Sequence, residues 1–370
     1  MNTPLLLELH RAAGARLRED PAEVLTFGDV PAEYAAATQG AALLDATTLG
    51  AVEARGLDAV DFLHRITAND VRGLAAGRVA RNLLLSSKGK VLFDFETERG
   101  AEGLRLVLAA ARAPALADAL ELYHFTEKVA FEVTSERLAP LEVVGPRAAE
   151  VVRAVSGLAT EPAPGTWTAA RFEGAALSVT ATGVAGSPGF RLDAGPERAA
   201  ALWRALAAAG ARPIGVVARE ILRIEACCAA WGADVDEQVY PQEARLERAF
   251  SLTKGCYTGQ EVVAKIDTYG GLNKRLTALR VAHDDPVPRG TRLHRLDDGQ
   301  WRDLGVVTSW AYSFVLDTGL VLAFVKRRHQ GVGTEFRLGD GPATATVVPM
   351  PVRPGALSVT GEFESATGGA

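Results

Sequence analysis

The chain has 370 residues, 40 basic and 45 acidic, for a formal net charge of −5, with 48% apolar and 23% charged positions. That length suits two or three cores, and the composition excludes wholesale disorder and a collagen-like or coiled-coil build. The acidic balance, without a block of one sign, argues against direct nucleic-acid binding.

Thr3 before Pro4 reads as a helix cap followed by proline at the first helical position, with helical spacing through Leu9, Ala13 and Leu17. Leu5 to Leu7 run at once into Glu8 and His10, too short for a secretory signal. From Val79 to Val133 the pattern predicts strands at Val91–Phe95, Leu104–Ala109 and Val129–Val133 around a helix at Pro114–Tyr123. A turn at Ser86 to Lys90 joins Leu83–Leu85 to Val91–Phe95 as a hairpin, which puts Asp94 in a strand. A second mixed segment, Leu141 to about Ala209, reads as a split βαβ arrangement: strands at Leu141–Val144, Leu177–Ala181 and Phe190–Leu192, a helix at Arg147–Val155 and another from Pro196. Within it, Gly174 to Phe190 is the longest uncharged run. Its Gly, Ser, Thr and Pro content excludes a membrane span.

After Asn273 helical periodicity fades. Strands are predicted near Thr277–Val281, Leu304–Trp310, Val321–Val325, Glu335–Leu338 and Ala343–Val348, a small barrel or sandwich. Residues 356–370 are small and polar and read as a disordered tail. The three cysteines, two adjacent, form no disulfide framework and no C-x-x-C pair, so a cytoplasmic protein without bound metal is expected.

The densest chemical signal is Lys254-Gly255-Cys256-Tyr257-Thr258-Gly259-Gln260-Glu261, ahead of Val262, Val263, Ala264 and Ile266. Thr258 and Glu261 have capping-box spacing, which predicts a helix start just after Cys256. A thiol held there, beside Lys254, has its thiolate favoured, whereas an isolated cysteine is more often an inert buried hydrophobe.

This stretch resembles the K-G-C-Y-x-G-Q-E signature of the YgfZ/GcvT-like folate-binding proteins, relatives of the glycine-cleavage T-protein. The resemblance extends to Arg223-Ile224-Glu225-Ala226, to Trp231-Gly232 and to Pro241-Gln242-Glu243. In the first third it includes Phe62, Leu63, Thr67, Asn69 and Asp70, then Lys88, Gly89, Val91 and Asp94. It implies an α+β cloverleaf of two interleaved ferredoxin-like subdomains over residues 1–273 and a β-barrel over 274–355. It also implies a tetrahydrofolate-type ligand, and iron–sulfur client or assembly proteins as partners, with any link to tRNA modification indirect.

A reduced pterin presents neighbouring N–H donors that a carboxylate accepts in parallel. Glu225 is the candidate for that contact, with Arg223, Trp231, Tyr257 and Lys254 as further folate-binding residues. If Leu222–Ala226 is extended, Arg223 and Glu225 share a face and pair with each other instead. The candidate catalytic residues are Cys256, Lys254 and Asp94. The T-protein relatives carry an acidic pair where this chain has Phe93-Asp94, which weakens the case for aminomethyl transfer. Two alternatives stand beside a folate-binding protein that serves iron–sulfur enzymes: a folate-dependent aminomethyl or methyl transferase, and a thiol redox module without folate.

Overall fold

The computed structural model describes residues 4–19, 22–297 and 299–356. Thr3 and residues 357–370, with the cap and most of the tail expected there, lie outside the described residues. In the first third come helix α1 (Pro4–Ala12), strands β1 (Arg16–Glu19) and β2 (Ala22–Thr26), helix α2 (Val30–Gln39), strands β3 (Ala42–Asp45) and β4 (Leu49–Arg55), and helix α3 (Ala59–Ile66). Next are β5 (Val79–Leu85), β6 (Val91–Arg99), β7 (Gly103–Ala109), α4 (Ala113–Glu121), β8 (Ala130–Val133), β9 (Ala139–Val144) and α5 (Ala148–Ser156). There follow β10 (Thr166–Phe172), β11 (Ala175–Val184), β12 (Ser187–Ala194), α6 (Ala199–Ala208), β13 (Arg212–Pro213), α7 (Val216–Glu225) and α8 (Gln260–Tyr269). The last strands are β14 (Lys274–Val281), β15 (Arg292–Asp297), β16 (Gln300–Ser313), β17 (Thr318–Lys326), β18 (Glu335–Leu338) and β19 (Thr344–Val347).

The chain divides into two compact units that interleave in sequence. Residues 1–83, 93–219 and 254–257 make the first, and residues 84–92, 220–253 and 258–370 the second. One sheet has the order β5-β6-β7-β4-β8 and a mixed one, with β13 parallel to β3, the order β10-β11-β12-β9-β3-β13, while β14-β17-β16-β15-β18-β19 closes as a barrel. This is the mixed α and β architecture with a C-terminal barrel that the pattern implies. Leu43, Leu141, Val143, Val179 and Leu192 form one core with Val151 and Val152 of α5 and Leu202 and Leu206 of α6. The barrel is filled by Leu279, Val281, Val307, Val321, Val325 and Phe336.

Three expectations change. Leu17 lies in β1 rather than α1, because Gly14 at φ 77° ends the first helix. Leu222–Ala226 is not extended. Val216 to Glu225 is one helix, and burial of Ala218, Ile221, Leu222 and Glu225 follows its i, i+3, i+4 repeat. The capping box does not form: Gly259, at φ 81°, is the N-cap of α8 without any side-chain cap, and Glu261 instead pairs with Lys265 at 2.6 Å. The cause is local. A Cβ at residue 259 would lie 2.4 Å from the Ser86 oxygen, so the turn needs a glycine and Thr258 stays outside it.

Candidate functional site

In the first unit, the Thr67, Asn69 and Asp70 stretch sets up a bonded floor. The Thr67 hydroxyl donates to the Leu63 carbonyl at 2.7 Å, closing the end of α3. The Asn69 amide nitrogen donates to the Arg81 carbonyl at 2.8 Å, and its backbone N–H donates to Asn82 Oδ1 at 2.8 Å. Asp70 Oδ1 accepts from the Gly73 N–H at 2.9 Å and lies 3.1 Å from His64 Nδ1.

His64 then meets the thiol-bearing segment. Its Nε2 is 3.1 Å from the Lys254 carbonyl oxygen, and the Lys254 ammonium returns a bond to the His64 carbonyl. Burial and the nearby Lys254 charge lower the His64 pKa. With the ring neutral and Nε2 protonated, Nδ1 accepts from the Arg72 N–H at 3.3 Å.

A cavity of about 410 Å³ opens here, lined by Asp58, His64, Arg65, Lys254, Gly255 and Cys256 among others. Cys256 is exposed. Lys254 is pushed down to about 8 by burial, with Arg72 acting the same way while Asp70 and Cys256 oppose the shift. Tyr257 is 7% exposed, and its hydroxyl is buried without a hydrogen bond. The Lys254 ammonium lies 5.0 Å from the Tyr257 ring centre, and burial pushes the phenol up to about 12. Cys256, Lys254 and Tyr257 therefore do come together.

The Lys254 shift has a measurable consequence. Its folded pKa lies below the unfolded one, so its cost to stability is fully present below about pH 8 and fades as pH rises through the window from about 8 to 10.5. We expect the extent of Lys254 acylation by limiting acetic anhydride, mapped by mass spectrometry, to rise with a midpoint near pH 8. A midpoint matching that of the other lysines would refute the shift.

The remaining expected site residues are engaged elsewhere. Asp94 accepts two bonds from Arg81, one from Nε at 2.8 Å and a shorter one from Nη2, and its side chain is 8% exposed. In the second unit Arg223 pairs with Glu220 and, at 2.7 Å, with Asp234, so it makes no pair with Glu225. Glu225 is 0% exposed; its Oε1 accepts from the Ser313 hydroxyl at 2.7 Å and the Val315 N–H at 3.2 Å. Trp231 is half-buried in a short bridge to Val235. Cys227 is buried, with its thiol pushed up to about 12 by that burial, and Cys228 is partly covered.

The sequence reading passed over an acidic stripe. Asp94, Glu96 and Glu98 alternate along β6, so all three project from one face. Arg191 of β12 is the hub for the last two, 2% exposed, bonded through Nη1 to Glu96 at 2.6 Å, through Nη2 to Glu98 and through Nε to Asp193 at 3.2 Å. Thr182 donates to Glu96 at 2.7 Å and Thr180 to Glu98 at 2.9 Å. Burial opposes the charge on Glu96, but Arg191 and Thr182 outweigh it and the pKa is lowered. For Glu98 burial prevails over Arg191 and the pKa is raised. The signal was legible as the period-2 acids in Phe93-Asp94-Phe95-Glu96-Thr97-Glu98.

Comparison with known proteins places this arrangement. Residues 16–254 match the GCVT N-terminal domain and residues 274–352 the glycine cleavage T-protein C-terminal barrel domain. An aminomethyltransferase of Rubrobacter xylanophilus is 31% identical over 94% of this chain and 93% of its own length. One of Thermus thermophilus is 30% identical over 94% of this chain and 98% of its own. The crystal structure of the glycine cleavage system aminomethyltransferase T from Bartonella henselae superposes with a TM-score of 0.84 at 24% identity, over 94% of this chain and 97% of that one, a likeness of fold. On the two domain matches and the length of the shared sequence, this chain belongs to the glycine-cleavage T-protein family.

Proposed function

We propose that this chain is a tetrahydrofolate-binding member of the family that works through the Cys256 thiol in the upkeep of iron–sulfur proteins, and that aminomethyl transfer is not its main activity. The observation that carries the reading is an exposed thiol at the lip of a cavity whose lining includes Lys254 and His64. The likeness of Lys254–Glu261 to the thiol-bearing signature supports the iron–sulfur role. Asp94, the single acid where the relatives carry a pair, is held by Arg81, which leaves it poorly placed to take a proton from a folate nitrogen.

A reduced pterin needs an ionised carboxylate with reachable oxygens. Glu225 does not fit, because it is 0% exposed and its Oε1 already accepts from both Ser313 and Val315. Glu96 fits better: its side chain is 30% exposed, its pKa is held down, and each oxygen, bonded once to Thr182 or Arg191, keeps a second lone pair. Bound folate would supply a one-carbon acceptor or carrier; this chain's part would be to orient its pyrimidine edge.

Calorimetric titration with tetrahydrofolate tests the reading. Wild type should bind, and Glu96→Gln should weaken binding at least about tenfold, the loss of one charge-assisted bond. Cys256→Ser should leave folate affinity intact while abolishing restoration of iron–sulfur enzyme activity in cells lacking the protein. No binding by folded wild type would end the proposal. The second reading, an aminomethyltransferase, is favoured by the names of the relatives. It predicts turnover of tetrahydrofolate with an aminomethyl donor, abolished by Asp94→Asn.

A further inference from the structure

The Pro241-Gln242-Glu243 stretch has no part in the reading above. In the second unit Gln242 lines a separate cavity of about 220 Å³, together with Glu247, Asp267, Lys274, Arg275 and Arg327. Gln242 is 4% exposed, and its Nε2 donates to the Val263 carbonyl of α8 at 2.9 Å. A carbonyl only accepts, so this bond fixes the amide orientation. Gln242 Oε1 is left buried without a donor. Arg275 and Glu247 pair through Nη2 and Oε1, which leaves Arg275 Nε and Glu247 Oε2 also buried without partners.

Two acceptors and one donor without partners at one small cavity are unusual, since each such group costs about 1–3 kcal/mol when nothing bonds it. Their complement is a molecule with several N–H donors and an anionic acceptor. Inorganic phosphate supplies acceptors but would meet the carboxylates of Glu247 and Asp267. A simple amine leaves Arg275 Nε without an acceptor and adds a further positive charge beside Lys274 and Arg327. An ammonium and a carboxylate on one carbon answer both halves, and the volume admits about ten non-hydrogen atoms.

We propose that this cavity binds a small free α-amino acid, its ammonium group on Gln242 Oε1 and Glu247 Oε2 and its carboxylate on Arg275, with Lys274 and Arg327 adding charge. The inference is independent of the folate reading, because no residue of the Cys256 cavity or the acidic stripe takes part in it.

The test is calorimetric titration of the full chain with L-glutamate and glycine. One of the two should saturate with a Kd of about 1 mM or tighter, while glutarate, which lacks the ammonium, and n-propylamine, which lacks a carboxylate, should bind at least about tenfold more weakly. Gln242→Leu and Lys274→Met should each weaken binding about tenfold or more. If Gln242→Leu does not fold, Lys274→Met decides. No saturation by either amino acid, affinity unchanged in the variants, or equal affinity for inorganic phosphate would each overturn the proposal.

Discussion

Arg191→Met is expected to cost about 3–5 kcal/mol of folding stability at neutral pH, because removing the central cation of a buried ionic cluster leaves its carboxylates undercompensated. Glu98 and Asp193 have side chains only 3% exposed and would lose the nearer of their two guanidinium partners, keeping only Arg105 at 3.5 and 3.6 Å. The loss should depend on pH in a defined direction. Glu98 already has a raised pKa, because burial outweighs Arg191, and without the arginine the carboxyl moves further up. The Glu96 pKa rises too, since the largest of the groups that hold it down is gone.

For a carboxyl with a raised folded pKa the cost is absent below the unfolded value, about 4.3, and accumulates as pH climbs toward the folded one. Urea unfolding at pH 4 and pH 7 should therefore show the variant much closer to wild type at the lower pH. A double variant, Arg191→Met with Glu98→Leu, should recover part of the loss, since replacing both members of a buried pair by apolar groups is often nearly neutral. A small, pH-independent loss in the single variant would mean that the cluster is open to water and does not clamp the strands.

The acids of that cluster were visible in the sequence and the hub was not. Alternation of Asp94, Glu96 and Glu98 is a local, period-2 pattern, whereas Arg191 lies 93 residues beyond Glu98 and meets it only when β12 and β6 are brought together. The same division runs through the rest of the chain. Hairpin chemistry at Ser86–Lys90 is local and was read correctly; Ser86 N–H donates to the Lys90 carbonyl at 2.9 Å. Short strands with strong alternation, such as Glu335–Leu338, were legible too. The Arg292–Asp297 strand was missed, because its charged residues at 292, 295 and 297 hide the alternation. Leu222–Ala226 misled because five residues fit either period, and only the longer run from Val216 decides for helix. At the site, Cys256 and Lys254 could be paired by spacing alone. That His64 bonds the Lys254 carbonyl across 190 residues could not be read from spacing.

Asp234→Ala should be comparably severe, about 3–5 kcal/mol, and for a reason that begins with strand geometry. Consecutive residues of a regular strand face opposite sides, yet the Thr308 and Ser309 hydroxyls both bond Asp234 Oδ1, at 2.5 and 2.7 Å. A register shift between Val307 and Ser309 in β16 makes this possible, a bulge that turns two neighbours toward one acceptor. The other oxygen accepts from Arg223 Nη1 at 2.7 Å and from the Ala230 N–H at 3.0 Å. One carboxylate, with a side chain 0% exposed, thus ties α7, the turn that carries Trp231 and the barrel wall together. Alanine would leave the Arg223 charge with Glu220 alone, the Thr308 hydroxyl with only the Leu322 carbonyl, and the Ser309 hydroxyl with only the Arg223 donor. Thr308→Val removes one hydroxyl while three donors remain on the aspartate, and should cost only about 0.5–1.5 kcal/mol. Chemical unfolding of both variants, with hydrogen exchange at the Ala230 amide, measures the difference. Equal losses in the two, or an Ala230 amide equally protected in Asp234→Ala and wild type, would show that the bulge and the turn hold without the carboxylate.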